Sequence, residues 1–214
     1  MDAKNILIFT AVNIETRTIQ QAMRGSFCRI IAVGIGARRF PSASDLRDFI
    51  AIFQIAAILV CGVAGGLDPM LAVGDVILDD PTGLVADSIP HRRGSIHSAT
   101  RIVSSPAEKA ELFSQTGALA VDMEQEAVRN FTTGLGIPVV GIRAISDTAD
   151  QTLDPVIARF VDDWGFPKPG SIAMHLIRRP SLIPYLRRLN KNTKIALVEL
   201  GKAVRAVVDE LEGS

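Results

Sequence analysis

The chain has 214 residues, 48% of them hydrophobic, and its 23 basic and 23 acidic side chains cancel to a formal charge of zero. That length suits one domain whose core folds without disulfides or metal, and the even charge balance gives no reason to expect a nucleic acid as partner. Cys28 and Cys61 lie in apolar, strand-like runs and make no disulfide scaffold, which points to a reducing cytoplasm.

The first apolar run is short, carries no signal-peptide cleavage pattern, and reads as strand one. Asn5 to Ala11 has the continuous apolar character of a strand buried on both faces, followed by a helix over Ile14 to Met23. Cys28 to Val33 is the next strand, Gly34-Ile35-Gly36 a turn, Ser42 to Phe53 a helix and Ala57 to Cys61 a third strand, a βαβαβ rhythm. The longest apolar stretch, Ala51 to Leu67, is interrupted by Gln54, Gly62, Gly65 and Gly66 and is too short to span a bilayer. Val73 to Leu78 and Gly94 to Ser98 read as further strands, Pro106 opens a helix to about Ser114, and Ala118 to Val121 leads onward.

In the central unit, Val121, Ala127, Val128, Phe131 and Leu135 recur at helical spacing, Gly134 and Gly136 stop the helix, and Pro138 to Ile145 is a buried strand. From Trp164 onward, prolines at 167, 169, 180 and 184 bound short helices, and Thr193 to Leu211 forms a longer amphipathic one. The expected fold is α/β, with three layers (α/β/α) around a mostly parallel, mixed central sheet. Residues 1–214 are expected to form a single domain, with 165–214 a helical tail packed on it.

Two acid clusters mark the ends of the central unit: Asp122-Met123-Glu124 and Ser146-Asp147. Asp147 falls just past a strand end, where α/β sheets hold their ligands. The run Gly34 to Arg39 resembles a dinucleotide loop only superficially, because Arg39 holds the third glycine position and the preceding strand is the second; a tight turn between strand and helix accounts for it. Cys61 to Leu67 carries three glycines after a strand, which suits either an anion-binding nest or a bend forced by crowding. His91, His97 and His175 show no metal-ligand spacing, and no G-x-S-x-G elbow is present. Neither a metal nor a cofactor is expected.

Four segments, in order, resemble the nucleoside phosphorylase and nucleosidase superfamily, whose members cleave N-glycosidic bonds of nucleosides. They are Thr10 to Glu15, the Gly34-Ile35-Gly36 turn, Gly62 to Leu67 with Val73-Gly74-Asp75, and Asp122-Met123-Glu124 with Arg143 to Asp147. Within it, GVAGGLDP, Ser105-Pro106-Ala107-Glu108-Lys109, GALAVDME and Arg178 to Pro184 are most similar to the hopanoid-associated branch, proposed to remove adenine from adenosylhopane. The resemblance implies Asp147 as the acid that protonates purine N7, with Ser146 orienting it and burial or a hydrogen bond holding the proton. It implies Glu124 as the acceptor for the ribose 2′ and 3′ hydroxyls, with Met123 against the sugar, and Glu15 as activator of a nucleophilic water. It also implies Val63 and Gly65 as substrate-binding residues, with Ile102 near the base.

Where the family often has Ser or Thr, this chain has Val63. Arg143 can orient water or bind phosphate, and Arg38 or Arg39, beside Gly36, can supply an anion contact; two adjacent arginines are also simply a solvated face. The acceptor, water or phosphate as co-substrate, stays open, and Val63 keeps a non-catalytic nucleoside binder as an alternative. The tail interleaves Arg178, Arg179, Arg187, Arg188, Lys191 and Lys194 with leucines, isoleucines and Tyr185. That pattern suits either peripheral contact with an anionic membrane, as a lipid-linked nucleoside would require, or docking on the sheet with a solvated basic face. The resemblance also implies a homo-oligomer.

Overall fold

The computed structural model describes residues 5–26, 28–38, 41–86, 91–162 and 164–213. Strand β1 (Asn5–Thr10) explains why its sequence lacks polar alternation, because both of its faces are covered. Ile6 and Ile8 pack with Ile19, Leu200 and Val204 on one side. Leu7 and Phe9 pack with Leu46, Ile50 and Val128 on the other. Helix α1 (Asn13–Ala22) and the C-terminal helix therefore cover the first face, and α2 (Ala43–Ile52) and α4 (Gln125–Thr132) the second.

Among the described residues the sheet has eight strands. β2 (Arg29–Ala32), β1, β3 (Ile55–Gly66) and β8 (Val139–Asp147) run parallel in that order. Antiparallel β4 (Val76–Asp79) follows β8 and carries β5 (Arg92–Arg93). The far end of β3 pairs antiparallel with β7 (Ala120–Asp122), which is joined by β6 (Ile96–Ser98). Three layers around a mostly parallel, mixed sheet match the expectation from sequence.

Three boundaries differ for physical reasons. β3 continues through the glycines to Gly66 instead of ending at Cys61, and none of Gly62, Gly65 and Gly66 has a positive φ. Those glycines are extended strand, so they form no anion-binding nest; the missing side chains of Gly62 and Gly65 make room for acids described below. β8 runs two residues past Ile145, so Ser146 and Asp147 belong to the strand end itself. In the tail, α5 (Pro169–Arg178) stands apart, but α6 (Leu182–Gly213) is one helix of 32 residues. Pro184 does not divide it because it lies in the first turn, where a missing N–H removes no intrahelical bond.

α6 supplies Ala196, Leu197, Leu200, Val204, Val207, Val208 and Leu211 to the core around β1, β3 and β8, while α5 buries no residue. Helix α3 (Pro106–Thr116) starts with a capping box: Ser105 Oγ accepts from Glu108 N at 3.2 Å and Glu108 Oε2 accepts from Ser105 N at 3.1 Å. Gly117, at φ 65°, ends it.

Asp79, at the end of β4, joins three elements. Its Oδ2 accepts from Ile96 N at 3.0 Å and Gln125 Nε2 at 2.6 Å, and its Oδ1 pairs with Arg129 at 2.9 Å. Gln125 reaches it across Gly141 of β8, where a Cβ would lie 1.9 Å from Gln125 Oε1. Gly141→Ala should push Gln125 off Asp79 and lower stability by about 1–3 kcal/mol, read from the urea unfolding midpoint.

Candidate active site

The carboxyl ends of β1, β3 and β8, where an open α/β sheet places its ligand crevice, surround a cavity of about 230 Å³. Each functional side chain arrives from a different element. Glu15, in the first turn of α1, is 3% exposed, and its carboxylate is held from both sides. Oε2 accepts from Ala11 N and Val12 N at 3.1 Å each, and Oε1 accepts from Val63 N at 2.9 Å. This close approach to β3 requires Gly62, where a Cβ would sit 2.7 Å from Glu15 Oε1. Burial pushes the Glu15 carboxyl above its ordinary value, against the opposing pull of the Val63 N–H and the Arg143 charge.

Ser146 and Asp147 come from the end of β8. The pairing of β3 with β8 slips there, so that Ala64 faces Ile145 and Gly65 faces Asp147. In a regular strand consecutive side chains point to opposite faces; the bulge lets Ser146 and Asp147 line the same cavity. Ser146 Oγ donates to Asp147 Oδ1 at 2.9 Å and to Ala64 O at 3.3 Å. Asp147 Oδ2 lies 3.1 Å from the position a Cβ would take on Gly65, so Gly65 is the clearance for the acid.

Asp122, Met123 and Glu124 connect β7 to α4, and all three line the cavity. Glu124 precedes the first residue of α4, is 8% exposed, and its Oε1 accepts from Gly36 N at 2.7 Å. Gly36 has φ 64°, in the left-handed region that favours glycine, so the turn is built to aim an N–H at this carboxylate. Burial raises Glu124 to about 7, with the Arg143 charge and the Gly36 N–H opposing, and Asp122 and Glu15 adding to the rise.

Val63, Gly65 and Ile102 also line the cavity, so eight residues expected from sequence are brought together there: Glu15, Val63, Gly65, Ile102, Met123, Glu124, Ser146 and Asp147. The arginines are placed otherwise. Arg143 is 2% exposed and does not line the cavity; it donates to Asp122 Oδ2 through Nε at 3.1 Å and to Val60 O through Nη1 at 2.6 Å, and it is ion-paired with Asp122. Its guanidinium faces protein acceptors and not the cavity, away from the expected water or phosphate. Arg38, with Gly36, lines a neighbouring recess that shares Met123 with the cavity, and Arg39 lies outside the described residues.

Two contributors were missed in the sequence. Arg101 lines the cavity and pairs with Glu108 at 2.6 Å, and that contact with the Ser104 and Ser105 N–H groups brings Glu108 down to about 2. Lys109 of α3 is fully buried and places Nζ 2.6 Å from Asp147 Oδ2. Burial or a hydrogen bond was expected to hold a proton on Asp147; the acid stands instead in an ion pair. A signal existed: Lys109 lies three and four residues before Leu112 and Phe113, on the inward stripe of α3.

Among the described residues no group of three or more His, Cys, Asp or Glu is placed to hold a metal. Cys61 is buried, and burial pushes its thiol up, away from the reactive thiolate.

Four carboxylates and a serine around one small cavity, with apolar walls from Val63, Ile102 and Met123, suit acid-base work on a small polar ligand that has an apolar face. Residues 82–165 match the phosphorylase superfamily. The chain is 23% identical to the 5′-methylthioadenosine/S-adenosylhomocysteine nucleosidase of Baumannia cicadellinicola subsp. Homalodisca coagulata, over 58% of this chain and 70% of that protein. In structure it is similar to the 5′-methylthioadenosine/S-adenosylhomocysteine nucleosidase of Colwellia psychrerythraea 34H in complex with adenine, with TM-score 0.68 and 18% identity, covering 100% of this chain and 98% of that one. It is also similar to the futalosine hydrolase of Helicobacter pylori strain 26695, with TM-score 0.63 and 17% identity over 97% and 98% of the two chains. The chain shares the fold of these solved proteins along its whole length.

Two outcomes follow from the electrostatics. Arg143→Met leaves Asp122 buried and unpaired and should cost about 3–5 kcal/mol of unfolding free energy, measured by urea denaturation. Glu124 titrates near 7 when folded and near its ordinary 4.5 when unfolded, so the folded chain holds the proton more tightly. Its contribution to stability is fully present below about 4.5 and is lost as pH rises through about 7. Glu124→Gln removes this loss, so the Tm of the variant relative to the parent should be higher at pH 8 than at pH 4.5 by scanning calorimetry.

Proposed function

We propose that this chain cleaves the N-glycosidic bond of an adenine nucleoside with water as acceptor, releasing the base. The observation that carries the reading is that Asp147, Glu124 and Glu15 line one cavity from three separate elements. Breaking a ribosyl bond builds positive charge on the sugar and negative charge on the departing base. Asp147, oriented by Ser146, directs a proton to N7. Glu124 accepts hydrogen bonds from the ribose 2′ and 3′ hydroxyls, and its carboxylate favours positive charge on the ring. Glu15, raised by burial toward the range of a useful base, takes a proton from the attacking water.

Water is favoured over phosphate by the cavity walls. Among the described lining residues the basic side chain is Arg101, already paired with Glu108, and Val63 offers no hydroxyl. The relatives named above, two nucleosidases and a hydrolase, support the same acceptor. A single-turnover assay with adenosine-type substrates should yield adenine and free sugar whether or not phosphate is present; sugar 1-phosphate would reverse the choice of acceptor. Asp147→Asn should lower base release about 100- to 10,000-fold with ligand affinity largely retained. No release by the parent chain, with binding intact, would make it a nucleoside binder.

The substrate in this reading carries a bulky apolar 5′ substituent, as in an adenosylhopane-like nucleoside. A second cavity of about 600 Å³ shares Ile35, Arg101, Ile102 and Met123 with the first and continues past Ile157 and Val161, enough room for a lipid group. The face beside it supports delivery from a membrane surface. Residues 165–194 contain seven Lys or Arg and no acid, in a chain with zero net charge. Phe166, Met174 and Ile177 are exposed there, Ile177 at 77%, among Lys168, Arg178 and Arg187. The chain should co-sediment with phosphatidylglycerol vesicles and not with phosphatidylcholine vesicles, and Ile177→Asp with Arg178→Glu should abolish the difference. Equal recovery with both lipids would remove the electrostatic contact.

A further inference from the structure

Lys109 is a charged side chain with 0% exposure, and burying an ammonium costs several kcal/mol unless it is fully compensated. Here it is. An ammonium has three donors, and Nζ meets three acceptors: Asp147 Oδ2 at 2.6 Å, Thr148 O at 2.7 Å and Gln151 O at 3.3 Å. Lys109 does not line the substrate cavity, whereas Asp147 does, so the lysine reaches that space only through the acid. The Asp147 oxygen it touches, Oδ2, is also the one that stands over Gly65 in the cavity wall. The other oxygen is held by Ser146.

We infer that Lys109 is a positioning residue that feeds the departing base its proton by way of Asp147. The inference rests on the nucleosidase reading given above. As the C1′–N9 bond breaks, its electron pair passes to the purine. One proton moves from Nζ to the Asp147 carboxylate and on to N7. Ammonium, carboxylate and base anion become amine, carboxylate and neutral base, and solvent returns a proton to the amine after release. The ion pair thus carries one transferable proton while presenting a net charge of zero to the pocket, which is what a buried acid needs before the leaving group has developed charge.

The alternative is that Lys109 only staples the chain after β8 through Thr148 O and Gln151 O. The two roles separate by leaving group. Adenine must be protonated to depart, whereas 4-nitrophenolate is stable as an anion and needs no acid. Single-turnover release should be measured for adenosine and for 4-nitrophenyl β-D-ribofuranoside in the parent, Lys109→Met and Lys109→Arg.

Lys109→Met should lose adenine release by about 100-fold or more and retain nitrophenolate release near the parent rate. Lys109→Arg keeps a cation for Asp147 and so guards against misfolding, but a guanidinium does not surrender its proton. It should therefore show the same split between the two substrates. Equal losses for both substrates, or recovery of adenine release in Lys109→Arg, would overturn the relay and leave the nucleosidase reading standing. Release of neither product by the parent would defeat that reading and the relay with it.

Discussion

The buried guanidinium of Arg143 makes a carboxylate-lined cavity compatible with a folded chain. Glu15, Asp122 and Glu124 all sit within its field, each below a tenth exposed, and burial of acids so close together raises the energy of every ionised form. Arg143 neutralises Asp122 by direct contact and holds Glu15 and Glu124 below where burial alone would put them. Its Nη1 donates to the Val60 carbonyl, which anchors it to β3. The arginine therefore acts from behind the cavity, and its charge is felt there without the side chain being available to a ligand.

A second cation repeats the arrangement at Asp147. Lys109 stands behind Asp147 as Arg143 stands behind Asp122, each withdrawn from solvent and bonded to protein oxygens. The site thus pairs acids at the front with bases at the back. Such buried pairs contribute little net stability by themselves, because desolvation of the ions offsets their attraction. Their effect lies in fixing where the Asp122 and Asp147 carboxylates stand in the cavity wall.

Backbone geometry brings these groups together. Gly62 admits the Glu15 carboxylate, Gly65 clears Asp147, and the slipped register at the end of β8 turns two neighbouring side chains into one space. The sheet order matters equally, since β1, β3 and β8 lie side by side and deliver their carboxyl ends to one edge. Much of this was legible beforehand. Apolar strands such as Asn5 to Ala11, the glycine turn at Gly34 to Gly36, the helix opened by Pro106 and the acids at 122, 124 and 147 are all signalled by local pattern. The reach of β3 was not, because glycines that accommodate a distant side chain look the same in sequence as glycines that bend the chain. The division of α6 at Pro184 failed for a similar reason: a proline marks a helix boundary without saying which side of it the helix lies on.

By itself the sequence determined the alternation of strands and helices, the α/β class and the residue types available for acid-base work, because periodicity and turn chemistry act between near neighbours. Only the tertiary structure decided that Arg143 is a structural counter-ion, that Asp147 is paired with Lys109 and that the β3 glycines are clearance for acids. Those facts depend on contacts between residues 21 or more positions apart in the chain. A charge declares its role only once the group it faces, and the water it has lost, are known.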